Sequence, residues 1–222
     1  MSVGRIVDSY YLSTSGRSPE MPFRVLLETD NQNIELTCSR VLRILPGKRL
    51  VCSGEYNGQD VVVKFFLDSR RAEKHCAREE KGIRALKEAG IKTSSLLFKG
   101  LLKPGCEPVL VFKMIDRAID FTEAWKQVRS DNGHSELLKQ IVSIIADQHE
   151  AGLTHDDLHM GNFLLAGNDI YTIDGDAVNV RHKGRALSEV KSLGNLGLFF
   201  AQIYPRYNHL ISDAFKVYLE KR

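Results

Sequence analysis

Short runs of apolar and β-branched residues dominate the first half of the chain, and pairs of turn-forming residues lie between or beside them. This alternation predicts an antiparallel sheet, because strands of this length are bounded by such turns. The predicted strands are residues 25–27, 40–45, 50–52, 61–66 and, further on, 108–114. The predicted turns are Pro46-Gly47, Ser53-Gly54 and Asn57-Gly58.

A helical pattern follows in residues 70–89, which end at Gly90. Residues 135–151 carry apolar side chains at helical spacing, with Ser135 as the predicted cap at the start and Gly152 at the end. Residues 187–203 and 210–219 predict two closing helices. The chain is therefore predicted to be an α+β protein, with an antiparallel sheet first and helices after it.

Composition narrows the class of protein. The 222 residues are 43% hydrophobic, enough to bury a sizeable core as one domain or two small lobes. A net charge of +3 is too small to predict a nucleic-acid partner. Four widely spaced cysteines without a C-x-x-C pair are typical of reduced thiols in the cytosol. No stretch approaches the ~20 apolar residues of a membrane span, so we expect a cytoplasmic protein.

The strongest chemical signal lies in residues 155–162, which read His-Asp-Asp-Leu-His-Met-Gly-Asn and have the spacing H-x-D-L-x-x-x-N. Asp174 lies twelve residues after Asn162, at the end of an apolar strand. Phosphotransfer needs an Asp near the acceptor hydroxyl, and an Asn and an Asp that hold magnesium. Asp157, Asn162 and Asp174 therefore predict a phosphotransfer site. The alternative is an ordinary turn rich in Asp and His.

Lys64 is the one cation in the apolar run of residues 61–66. A half-buried lysine needs an anion, which favours contact with a nucleotide phosphate, although a lysine on the solvent face of an edge strand is the alternative. Glu79 is the predicted carboxylate partner, because it shares the apolar face of the helix at residues 70–89. The alternative for Glu79 is one more solvated charge.

Gly47 and Lys48 lie in the turn where protein kinases carry a G-x-G-x-x-G loop over the phosphates. A single glycine matches that loop poorly. Amides around Gly47, helped by Lys48, are candidates to cap phosphate oxygens, and an ordinary hairpin turn is the alternative.

On these motifs the chain resembles a small kinase of the protein-kinase-like superfamily, most closely the bacterial lipopolysaccharide-core kinases that phosphorylate Kdo or heptose sugars. The resemblance spans residues 40–200, and segment 78–90 resembles the helix that carries the glutamate partner of the lysine. His159 stands where protein kinases usually carry Lys, as in aminoglycoside and choline kinases, and no A-P-E motif follows Asp174. The resemblance implies a two-lobed fold, with an antiparallel β-sheet N-lobe in residues 1–115 and a reduced, mainly helical C-lobe in 116–222.

The resemblance also implies ATP and Mg²⁺ as cofactors and gives each site residue a role. Lys64 should contact the α and β phosphates and pair with Glu79, while Asp157 should orient the acceptor hydroxyl. Asn162 and Asp174 should ligate magnesium. The remaining nucleotide contacts are positional: Phe112 and Met114 for adenine, Gly47 and Lys48 for phosphates, and His159 for the γ phosphate or as a structural histidine.

One departure from the family concerns the helix after Asp174, where related kinases often have an Asp that braces the catalytic loop. This chain offers Ser192 and Asn195 instead. The expected function is phosphorylation of a sugar of the lipopolysaccharide core, with peripheral contact at the cytoplasmic face of the inner membrane. The alternatives are a small atypical Ser/Thr protein kinase and a nucleotide-binding pseudokinase that regulates a partner. The role of residues 1–36, with strand-like pieces at 3–7 and 23–27, is left open.

Overall fold

The computed structural model describes residues 4–30 and 32–222, so the start of the predicted strand at residues 3–7 lies outside the described residues. The chain divides by internal packing into two compact units. The first unit runs up to Glu80 and includes Ser94–Met114, and the second contains Lys81–Thr93 and Ile115–Arg222. The lobe boundary at residue 115 stays a prediction. Residues 81–93, which that division assigned to the N-lobe, pack in the second unit.

An antiparallel sheet forms most of the first unit. Its strands are β1 (Arg5–Ile6), β2 (Phe23–Glu28), β3 (Asn33–Leu45), β4 (Arg49–Tyr56), β5 (Gln59–Phe66), β6 (Leu96–Lys103) and β7 (Pro108–Lys113), with helix α1 (Ser9–Thr14) and the start of α2 (Ala72–Glu88). The strand order is β1-β2-β3-β4-β5-β7-β6, and β2 also pairs with β6, so the sheet closes on itself as a barrel. The leading segment thus contributes β2, the strand that completes this closure.

The alternation of side chains along β5 sets the two faces of the barrel wall. Val61, Val63 and Phe65 are fully buried in the core of the first unit. Because successive side chains of a strand point to opposite faces, Lys64 faces away from that core. The β4–β5 turn is Asn57-Gly58, with φ of 51° and 73°, as a two-residue hairpin turn requires.

Two expectations for this sheet are wrong. Ser53-Gly54 lies inside β4 and is not a turn. A Cβ on Gly54 would come 2.2 Å from the carbonyl oxygen of Thr37, so the close approach of β3 requires the glycine here. Strand β6 has no counterpart among the predicted strands, although it lies between β2 and β7 and is needed for closure.

Helices dominate the second unit. They are α3 (Phe121–Gln127), α4 (Asp131–Glu150), α5 (Glu189–Phe200) and α6 (Asn208–Lys221), with short strands β8 (Ile119–Asp120), β9 (Leu153–His155), β10 (Phe163–Ala166), β11 (Asp169–Thr172) and β12 (Val178–Val180). Helix α4 packs against α6 around a core that includes Leu138, Ile141 and Ile145. It begins before the predicted Ser135, because the hydroxyl of Ser130 caps it by accepting the N–H of Gly133 at 3.2 Å.

The predicted α+β class is confirmed, since an antiparallel sheet forms the first unit and helices form most of the second. Among residues 4–30 and 32–222, no helix has the length and apolar character needed to cross a bilayer.

Candidate active site

An ion pair joins Lys64 of β5 to Glu79 of α2 within the first unit. The Glu79 side chain is fully buried, and that of Lys64 is only 14% exposed. A buried carboxylate is costly unless a cation meets it, so each side chain holds the other in place. The ring centroid of Phe112 lies 5.6 Å from the Lys64 ammonium, within cation–π range.

Helix α2 delivers Glu79 to this position because its apolar face is its buried face. Cys76 and Ile83, one turn to either side of Glu79, are buried with it. Glu73, by contrast, is exposed and lies 3.8 Å from Lys99. Burial raises the pKa of the Cys76 thiol to about 11, so this neighbour of Glu79 stays neutral. The structure therefore pairs Lys64 with the glutamate that helical spacing selects.

The turn at Gly47 and Lys48 is a β-hairpin turn. Gly47 has a φ of 64°, and the N–H of Lys48 donates to the carbonyl of Leu45 at 2.9 Å. The carbonyl of Lys48 accepts the N–H of Leu67 at 2.8 Å. The amide of Lys48 is thus engaged within the turn, and contact of Gly47 and Lys48 with phosphate oxygens stays a prediction.

Phe112 and Met114 lie at the end of β7, where the sequence places the adenine. Phe112 is buried, and its backbone pairs with β5 and β6 on its two sides. The N–H of Met114 donates to the carbonyl of Asp60 at 3.0 Å. That donor is used by the sheet, so Met114 offers a nucleotide its carbonyl and side chain rather than its N–H.

In the second unit, β9 leads into the motif at residues 155–162, and two adjacent carboxylates have different surroundings there. Asp156 accepts a hydrogen bond from the guanidinium of Arg181 at 3.0 Å, which gives it a structural role. Asp157 has a side chain that is 68% exposed, and His159 Nε2 lies 3.5 Å from its Oδ2. Asp156, 52% exposed, is thus held by Arg181, whereas Asp157 is the more exposed of the two, which favours it as the carboxylate that meets a substrate hydroxyl.

Hydrogen bonds link Asn162 to Asp157 and to Ile173, the residue before Asp174. The side-chain amide of buried Asn162 donates to the carbonyl of Asp157 at 2.6 Å, so that its nitrogen is used and a cation would meet its Oδ1. The carbonyl of Asn162 accepts the N–H of Ile173 at 2.9 Å. Asp174 follows in the left-handed region, with a φ of 67°. One carboxylate and one amide oxygen are hard donors, which fits the preference of magnesium for oxygen ligands.

Helix α5 braces the catalytic loop on both sides of Asp157. Asn195 accepts the N–H of His155 at 3.3 Å and donates to its carbonyl at 2.9 Å. Gln202, just after α5, donates to the carbonyl of Leu158 at 2.7 Å. Asn195 thus provides the bracing contact that the sequence left open between Ser192 and Asn195. The sequence carries no signal for Gln202, because a single glutamine beyond a helix end forms no pattern.

A buried histidine fixes Asn195 in turn. His149 Nε2 lies 3.0 Å from Asn195 Oδ1, while its Nδ1 lies 2.8 Å from the Tyr218 hydroxyl. Since Asn195 presents an oxygen, Nε2 donates and Nδ1 accepts from Tyr218. Burial lowers the pKa of His149 to about 4, although the hydrogen bond to Asn195 acts to raise it. Burial also lowers the pKa of His155, against the nearby carboxylate of Asp174.

The second half of α2 lies directly against the turn that follows Asp174. A Cβ on Gly82 would come 2.0 Å from the carbonyl oxygen of Gly175 and 2.9 Å from its Cα. Ordinary van der Waals contact begins at 3.4 Å, so only glycine allows this approach. Gly82 is a positioning residue of the site that composition and spacing do not reveal.

Comparison with known proteins gives the class of protein that these features define. The model of the lipopolysaccharide kinase (Kdo/WaaP) family matches residues 62–197, more than half of the 222 residues. The chain therefore belongs to the Kdo/WaaP lipopolysaccharide kinase family, and the predicted family resemblance is confirmed. No curated protein sequence matches the chain.

Among solved structures, the chain is similar to the PknI kinase domain of M. tuberculosis, with a TM-score of 0.46 and 16% sequence identity. The similarity covers 64% of this chain and 58% of that domain, so the chain spans little more than half of its length.

Proposed function

We propose that this protein is an ATP- and magnesium-dependent kinase that transfers the γ phosphate of ATP to a sugar hydroxyl, on Kdo or heptose, of the lipopolysaccharide inner core. Membership of the Kdo/WaaP family supports both the reaction and the class of acceptor. The Lys64–Glu79 ion pair carries the proposal, because a lysine held by a buried glutamate is what kinase-type phosphate binding requires.

Each side chain of the site acts by position and charge. Lys64 contacts the α and β phosphates, and Glu79 keeps its ammonium from swinging away. Asp157, the exposed carboxylate of the motif, orients the acceptor hydroxyl and takes up its proton. His159 lies beside that carboxylate, where it meets the γ phosphate.

Asn162 and Asp174 are the proposed magnesium ligands, and ATP phosphates and water complete the ligand set. Magnesium, when bound, neutralises part of the phosphate charge. The adenine lies against Phe112 and Met114. Asn195 of α5 and Gln202 just after it keep the backbone on both sides of Asp157 fixed. Asp157 therefore holds the acceptor hydroxyl in line with the γ phosphate without reorganisation of the loop.

The acceptor places the reaction at the cytoplasmic face of the inner membrane, where the protein is proposed to be cytoplasmic with peripheral membrane contact. The core sugars are presented there on a lipid, so the protein must reach a membrane surface without spanning it. No nucleic-acid partner is proposed, because the net charge of +3 provides no strongly basic surface.

The test is acceptor-dependent release of ADP, measured with ATP, magnesium and a delipidated core oligosaccharide that ends in Kdo or heptose. Asp157→Asn should lower kcat by at least ~100-fold, the lower end of the range for loss of a general base. The matched control is Asp156→Asn, which keeps an oxygen for Arg181 and should retain activity. Wild-type protein that binds ATP but phosphorylates no acceptor would identify a pseudokinase, and phosphate on protein serine would identify a protein kinase.

A further inference from the structure

Helix α5 is apolar on two opposite faces. Its inner face carries Leu196 and Phe199, which are buried in the core of the second unit, together with the bracing Asn195. At 100° per residue, the outer face spans an arc of about 140°. This α5 face comprises Val190, Leu193, Gly194, Gly197 and Leu198, and the exposed residues Ala201 and Tyr204 follow the helix end.

The α5 face is exposed in the second unit. Val190 is 83% exposed, Leu198 is 55% exposed and Tyr204 is 70% exposed. The other large exposed hydrophobic residues of the described chain are scattered over both units, as is normal for a protein surface. By contrast, Val190, Leu193 and Leu198 lie on one helix face, and exposed Tyr204 follows four residues after the helix end. A helix that is apolar all round is normally covered, so this face is adapted to meet an apolar environment.

The segment of the chain that contains α5 has charges of predominantly one sign. Between positions 181 and 206 the chain has five cations and one carboxylate, Glu189. Lys191 lies at the edge of the arc, and exposed Arg206, whose guanidinium lies 4.6 Å from the ring centroid of Tyr207, comes two residues after Tyr204. An aromatic side chain beside a cation is typical of a membrane interface, where the ring lies at headgroup level.

We propose that the α5 face docks on an anionic lipid surface, with its apolar side chains among the headgroups and acyl-chain ends and Lys191 and Arg206 over lipid phosphates. This deepens the membrane contact of the proposed function by assigning it a surface. A second copy of the chain is a poorer occupant, because a two-fold contact of like patches sets basic residues against basic residues.

The probe is co-sedimentation with vesicles of phosphatidylglycerol and phosphatidylcholine in equal parts, compared with phosphatidylcholine alone. The wild-type protein should bind the anionic vesicles and release them at high salt. Lys191→Gln together with Arg206→Gln should weaken binding about 25-fold, since each cation near the surface contributes about fivefold.

The decisive variant is Leu198→Glu together with Tyr204→Glu, which should lower binding more than about tenfold. Its matched control is Leu42→Glu with Tyr10→Glu, whose positions are 43% and 75% exposed, and which should bind like wild type. Circular dichroism verifies that each variant folds.

Three results would overturn the proposal. The first is vesicle binding that is unchanged in the α5 variant, Leu198→Glu with Tyr204→Glu. The second is equal binding of the wild-type protein to neutral and anionic vesicles. The third is a wild-type dimer in light scattering that becomes a monomer in the α5 variant, with neither protein bound to vesicles. The proposed function is tested separately with the soluble oligosaccharide, on which the α5 variant should turn over normally. Vesicle binding through α5 without any turnover would keep the docking surface and reject the kinase.

Discussion

Replacement of Gly82 by alanine tests whether α2 and the turn after Asp174 are as closely packed as the structure shows. The added Cβ would lie 2.0 Å from the Gly175 carbonyl oxygen, whereas ordinary contact begins at 3.4 Å. The difference means that helix and turn must separate by about 1.4 Å. The atoms in the way belong to the backbone, so rotation of a side chain cannot relieve the clash.

Two opposing terms decide the sign of the stability change. Alanine is favoured over glycine inside a helix by about 1 kcal/mol. Overpacking costs typically about 1–3 kcal/mol, and the upper end applies when backbone must move. We therefore expect Gly82→Ala to lower the free energy of unfolding by about 1–2 kcal/mol. Since Gly175 adjoins Asp174, a shift of about 1 Å there should also cost about 100-fold in kcat.

Urea denaturation and ADP release measure the two effects. The matched control is Gly194→Ala in α5, where a Cβ would have no atom within 4 Å. In Gly194→Ala only the helix preference for alanine over glycine acts, without a steric clash. The free energy of unfolding should therefore rise by about 0.5–1 kcal/mol, with unchanged turnover on the soluble acceptor. If Gly82→Ala were stabilised to the same degree and remained fully active, the close approach of α2 to the turn would be refuted.

Three further predictions follow from the ion pair, the loop brace and the buried histidine. Lys64→Met should destabilise the protein by about 3 kcal/mol in urea unfolding, because the buried carboxylate of Glu79 loses the cation paired with it. The double variant with Glu79→Leu should recover most of this stability. Equal stability of the single and double variants would contradict the prediction. Asn195→Ala should change kcat, which falls, by a larger factor than it changes the KM for ATP. A purely structural role of Asn195 would change stability alone. The pKa of His149 is about 4 in the folded protein and 6.5 in the unfolded chain, so between these values the unfolded chain binds the extra proton. The free energy of unfolding should therefore fall by up to about 3 kcal/mol as the pH drops from 6.5 to 4. His149→Gln should flatten this dependence on pH.

Local patterns predict much of the fold and the candidate site. The helix at residues 70–89 is found as α2, since its apolar spacing and its buried face coincide. Because the two coincide, the sequence alone identifies Glu79 as the carboxylate partner of Lys64. The strand that carries Lys64 and the turn at Asn57-Gly58 are found where alternation and turn chemistry place them.

Contacts between distant parts of the chain escaped prediction. Gly54 and Gly82 resemble a turn residue and an ordinary helix glycine, yet each is required by a backbone from elsewhere in the chain. Helix α4 begins at Asp131 rather than near Ser135, because Ser130 caps a polar first turn that has no apolar periodicity. His134 in that turn is buried against Trp125 and Tyr207, partners whose proximity depends on the tertiary fold.

Closure of the β-barrel by β2 has a consequence for how this protein can be shortened. Strand β2 pairs with β3 through residues 33–38 and with β6 through residues 101–103. The family match begins only at residue 62, so a protein cut at that boundary would lose β1 to β4 and the start of β5. The remaining strands would present open edges, which template intermolecular pairing and aggregation. We therefore expect that the segment matched by the family model does not fold independently and that its solubility depends on the residues that precede it.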